Sequence, residues 1–131
     1  MQFSRFISKI SVSVVIAFFF FTSPAFADDA NLFILHSYSQ EYPWTKNQNK
    51  GFVESLDKER NYIISTEYLD TKRVEFDGQY QEFFASYLQK KYPQHLPDII
   101  FCTDDNALTF LRQFKHRLFG NSPVIFSGVN N

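Results

Sequence analysis

Asp98-Ile99-Ile100-Phe101-Cys102-Thr103-Asp104-Asp105-Asn106-Ala107-Leu108 is the stretch on which the fold turns. Four consecutive apolar residues behind Pro97 and Asp98 read as a short strand over 98–102 with both faces buried. A hydroxyl, two carboxylates and an amide at 103–106 then open a helix over 104–119. Its residues Ala107, Leu111, Phe114 and Leu118 share one face, and Gly120 stops it. A buried strand running straight into an amphipathic helix is half of a parallel crossover unit.

The same alternation extends in both directions. Upstream, Tyr80, Phe83, Phe84, Tyr87 and Leu88 draw one apolar stripe on a helix over 77–91 that Pro93 ends. Tyr62-Ile63-Ile64-Ser65-Thr66-Glu67-Tyr68, rich in β-branched and aromatic residues, reads as a strand. Residues 47–59 carry Phe52, Val53 and Leu56 at helical spacing, behind a polar loop that contains Pro43. Asn31-Leu32-Phe33-Ile34-Leu35-His36 is a further doubly buried strand. Downstream, Pro123-Val124-Ile125-Phe126-Ser127 is the fourth. The order β-α-β-α-β-α-β predicts an α/β fold, a Rossmann-like parallel sheet with alternating helices and right-handed crossovers, (βα)3β. Neither an internal repeat nor a low-complexity segment follows residue 27. The last strand is followed by no helix, so the expectation is an incomplete lobe, the first part of a larger fold.

Seven of the 17 phenylalanines fall in the first 27 of 131 residues, which sets that segment apart. Arg5 and Lys9 precede an apolar core over 10–21, Thr22-Ser23-Pro24 breaks it, and Ala25-Phe26-Ala27 provides small residues at −3 and −1 of a cut after Ala27. This is the pattern of a cleavable secretory signal peptide over 1–27, its core too short for an anchor. The mature chain, 28–131, then carries a net charge of −3 and is expected to be periplasmic. An acidic balance argues against nucleic-acid binding. The single cysteine, Cys102, excludes an intrachain disulfide and reads as a buried, inert thiol.

In open α/β sheets ligands bind beyond the carboxyl ends of the strands. Four segments lie there: 37–45, 70–73, 103–106 and 127–131. The first combines two tyrosines with the only tryptophan, and three of the four are rich in hydroxyls and amides, a composition suited to a small-molecule pocket. Each also has a plain structural reading. Residues 103–106 could simply cap a helix, Tyr42 and Trp44 could pack a loop on the sheet, and Asp70, Lys72 and Arg73 could form a solvated turn.

Enzyme motifs are missing: there is no G-x-G-x-x-G after the first strand, no Walker A lysine loop and no G-x-S-x-G. His36, His95 and His116 are scattered, without metal-ligand spacing. A phosphoacceptor receiver would need an acidic pair after the first strand, which this chain lacks. No catalytic role, cofactor or metal is expected.

Taken together, Ile34-Leu35-His36-Ser37-Tyr38 with Tyr42-Pro43-Trp44-Thr45, Glu67-Tyr68-Leu69-Asp70-Thr71-Lys72-Arg73, Asp104-Asp105-Asn106-Ala107-Leu108 and Phe126-Ser127-Gly128-Val129-Asn130-Asn131 resemble one family. It is the ABC-transporter substrate-binding-like domain that serves as extracytoplasmic sensor of bacterial histidine kinases and diguanylate cyclases. The resemblance covers residues 31–131. It implies a type I periplasmic-binding-protein fold whose two lobes close on a solute, with this chain supplying the N-terminal lobe and a second lobe missing. The matching positions implied to line the cleft are Ser37, Tyr38, Tyr42, Trp44, Asp104, Asn106, Ser127 and Asn130. Asp70 and Arg73 match too, with a structural role open to them.

The expected function is therefore a small-solute-binding sensor module of a signal-transduction protein. The partner is a small molecule, an aromatic or amino-acid-like solute by analogy with transporter relatives. Lys72 and Arg73 keep a phosphate ligand open. The alternatives are the solute-binding component of an ABC importer and a non-catalytic lobe that pairs through its incomplete sheet. Contact with a membrane is expected only through the signal peptide or a missing C-terminal part.

Overall fold

The computed structural model describes residues 29–94 and 96–130; the segment read as a leader, His95 and Asn131 lie outside them. Seven elements follow in strict alternation: β1 (Ala30–His36), α1 (Pro43–Ser55), β2 (Tyr62–Tyr68), α2 (Gly78–Lys91), β3 (Ile99–Thr103), α3 (Asp104–Phe119) and β4 (Val124–Ser127). All four strands are parallel, in the order β2-β1-β3-β4. This is the Rossmann-like (βα)3β sheet that the alternation predicts.

β1 lies between β2 and β3, and its Phe33, Ile34 and Leu35 are fully buried. Burying each side chain contributes roughly 1.5–3 kcal/mol. Period-2 alternation sends Phe33 and Leu35 to one face, where they join Ile100 and Cys102 of β3 and the buried side of α2 and α3. Ile34 faces the other way beside Phe101, which stacks on Phe52 of α1 with ring centroids 4.1 Å apart. One helix therefore covers one face and two helices cover the other. This is the consequence of right-handed crossovers that leave β1 toward β2 but return across it to β3.

Two sequence expectations are corrected. The first helix begins at Pro43 rather than at residue 47 and ends at Ser55. Proline lacks the N–H that the first turn leaves unpaired anyway, and its fixed φ suits that position. The segment expected to be loop is thus the first turn of α1, and it places Trp44 on a helix. The stripe on α2 is also narrower than its spacing predicts. Phe84, Ala85 and Leu88 are buried and Tyr80 half-buried, whereas Phe83 is 67% and Tyr87 39% exposed. Five aromatic and aliphatic positions span more of the helix than one sheet face and α3 can cover.

Cys102 is fully buried, and burial pushes its thiol up to about 12, as an inert core cysteine requires. Asp77 caps α2 by accepting from the Tyr80 amide. Gly120, at φ 56°, ends α3 in a conformation that glycine adopts without steric cost. On β4, Ile125 and Phe126 are 46% and 58% exposed. Among the described residues no helix is long and apolar enough to cross a membrane.

Candidate functional site

Because β2 lies on one side of β1 and β3 on the other, the connections leaving the carboxyl ends of β1 and β3 diverge to opposite faces. A crevice opens where they part. Tyr38 follows β1, Asp104 begins α3 directly after β3, and Trp44 on the first turn of α1 spans the gap: its Nε1–H donates to Asp104 Oδ1 at 2.9 Å. Around this bridge lies a cavity of about 310 Å³ lined by Tyr38, Tyr42, Trp44 and Asp104. Lys72 from the β2 end, with Gly128 and Asn130 beyond β4, completes the wall.

Five of the eight nominated positions thus share one cavity, and three do not reach it. Ser37 is fully buried and serves as a rivet: its Oγ donates to the Thr103 carbonyl at 2.7 Å and accepts the Ala107 amide at 2.8 Å. Its own carbonyl accepts from both the amide and the hydroxyl of Thr71. Asn106 donates to Thr71 Oγ1 at 2.8 Å, joining α3 to the β2 loop. Ser127 is the half-buried last residue of β4. Ser37 and Asn106 hold strand ends together, a role that their residue types share with ligand contacts and that spacing alone does not separate.

The carboxylates after β3 do not cap their helix through their side chains. The N-cap, Thr103, makes no side-chain cap bond, and the buried amide of Ala107 is satisfied by Ser37, the residue that follows β1. That leaves both acids free for other work. Asp105 accepts two bonds from Asn130, from its amide and its Nδ2, both at 3.0 Å, latching the segment after β4 onto α3. Asp104 is only 6% exposed, and its Oδ2 is buried without a hydrogen-bond partner. Burial pushes its carboxyl above the usual carboxylate range, against the opposing pull of the hydrogen bond from Trp44. Its backbone stands at φ 67°, a region costly for a side-chain-bearing residue. Gly128 explains how the chain passes so close: a Cβ there would stand 2.5 Å from Gln48 Nε2 and 2.9 Å from Asp104 Oδ1.

The aromatic half of the cavity is a corner. The Tyr38 and Tyr42 rings meet edge-on at 5.2 Å, and the Lys72 ammonium sits 4.7 Å and 5.4 Å from their centroids. Burial, then the charge of Asp104, raises the Tyr38 phenol. Lys72 was visible in the sequence as a rim cation, but charge alone did not distinguish it from its neighbour. Arg73 is taken up by Asp70 at 2.7 Å and Glu41 at 3.5 Å, the structural turn the sequence allowed.

Behind the rim, His36 is buried and stacks on Tyr68. The Asn49 carbonyl oxygen at 3.1 Å can only accept, so Nε2 carries the proton and Nδ1 accepts from the Thr103 hydroxyl at 2.9 Å. Burial pulls this imidazole below its ordinary value. No group of His, Cys, Asp and Glu suited to a metal ion occurs among the described residues. A wider hollow of about 510 Å³ runs beside Phe83, Tyr87 and Lys90 on the outer side of α2, but no strand end opens onto it. Comparison with known proteins adds no relative: no family model, curated protein or solved structure matches the chain.

Proposed function

We propose that this chain is the N-terminal lobe of an extracytoplasmic small-solute-binding module of the periplasmic-binding-protein type, serving as the sensor of a signal-transduction protein. The observation that carries the reading is the convergence of Tyr38, Tyr42, Trp44, Asp104 and Asn130 on one cavity at the crevice between β1 and β3. Aromatic walls with a few polar groups are the usual chemistry of a small-molecule pocket. A buried carboxyl in a strained backbone is a cost that a ligand donor would offset. In a two-lobed protein such a half-site signals by binding the closed state more tightly than the open one.

Trp44 is the only tryptophan and lies in the cavity, so its fluorescence reports the site without labelling. A panel of amino acids, nucleobases and sugars is expected to include a solute that shifts this emission saturably. A flat response across the panel counts against solute binding. An importer component has the same half-site and differs in what accompanies it. Exposed Ile125 and Phe126 on β4 favour a second reading, a lobe whose sheet is covered by another protein surface. Sedimentation that stays monomeric at every concentration would remove pairing with a second copy.

A further inference from the structure

Resting on the solute-binding reading, we propose that Lys72 is a built-in occupant of the cavity, its ammonium holding the place on the Tyr38 and Tyr42 rings that a ligand's ammonium group takes. Two tyrosines meeting edge-on at 5.2 Å form a corner, and a cation within about 6 Å of an aromatic face is attracted by the ring quadrupole. Lys72 satisfies that distance for both rings, at 4.7 Å and 5.4 Å. Among the described residues no carboxylate stands within ion-pair distance of it, unlike Arg73 beside it. The lysine rests on the aromatic corner, with the charge of Asp104 attracting it from beyond ion-pair distance.

Asp104 supplies the other half of the argument. It lines the same cavity, is almost wholly buried, and has one oxygen that accepts no hydrogen bond. The cavity therefore combines a cation-attracting corner with an acidic side chain in its wall. An organic ammonium free of a tether can lie on the tyrosine faces and bring its N–H toward the carboxyl group. Lys72, anchored after β2, meets only the first of these demands. An anionic ligand would need the lysine charge turned toward the open cavity, whereas the rings engage it. The ligand class assigned is an organic cation with at least one ammonium N–H, and binding is a displacement.

The experiment compares two probes with the same ring and opposite charge, phenethylammonium and phenylacetate, on the whole chain and on Lys72→Met, with Trp44 emission as readout. Methionine keeps an unbranched apolar side chain, one atom shorter, and removes the ammonium competitor. Phenethylammonium is expected to saturate both proteins and to bind Lys72→Met about threefold or more tightly, the weight of an exposed cation–π contact. Phenylacetate is expected to saturate neither. Equal or weaker ammonium binding by Lys72→Met overturns the inference, as does phenylacetate binding that the substitution abolishes. If other solutes still saturate the site in those cases, solute binding stands and only the role of Lys72 falls. If neither probe nor any solute saturates the whole chain, both fall together.

Discussion

At Asp104 three constraints meet in one residue: a φ of 67°, near-complete burial and an oxygen without a donor. Its folded-state pKa is raised, so the folded chain holds this proton more firmly than the unfolded one. The stability gained at low pH is lost as pH rises from 3.8 through the raised value, and the cost remains at neutral pH. Asp104→Asn removes the charge and suits the left-handed backbone, so its melting temperature should equal or exceed that of the wild type. A clear fall would contradict the account. Gly128→Ala meets both a positive φ and atoms at 2.5 and 2.9 Å, and should cost about 1–3 kcal/mol or more in a urea titration. His36 works in the opposite sense to Asp104. Its folded pKa lies below 6.5, so its contribution is fully present above pH 6.5 and is lost as pH falls toward the folded value. Urea midpoints should decline over that range, and His36→Gln should flatten the part of the decline that begins near pH 6.5.

Among the elements, α2 tests how burial rather than apolar spacing sets stability. Phe84 is buried against Phe110, with ring centroids 5.5 Å apart, while the neighbouring Phe83 is open to solvent. Phe84→Ala should cost about 3–5 kcal/mol and Phe83→Ala should stay within about 0.5 kcal/mol, both read from chemical denaturation. The sequence spacing placed both on one stripe because it reports periodicity and not the width of the surface that receives it. A similar limit explains α1. Polar residues around Pro43 read as loop, although proline at the first helical position is a start signal, and that reading left Trp44 off the helix. Strands were far more legible: β2 matches over Tyr62–Tyr68, and the other three agree within one residue, because short runs rich in β-branched and aromatic residues bounded by prolines and polar residues leave little choice.

For the whole molecule, the strand order β2-β1-β3-β4 does most to locate the candidate site. Alternating strands and helices made a parallel sheet readable, and the carboxyl-end rule pointed to four segments. Which of their residues turn into the cavity depends on long-range contacts that no local pattern carries. Ser37 closes on Thr103 and Ala107 across 66 and 70 residues of chain, which is why a nominated contact proved to be a rivet. The same tertiary approach puts Lys72 on the tyrosine corner and Trp44 on Asp104. The most direct test of the account is a Trp44 fluorescence titration of the chain and of Asp104→Asn with amino acids, nucleobases, sugars and organic ammonium ions. The account predicts a saturable shift with at least one solute and its loss, or a tenfold or greater weakening, in a folded Asp104→Asn. No saturable response to any solute, or an undiminished one in Asp104→Asn, would contradict it.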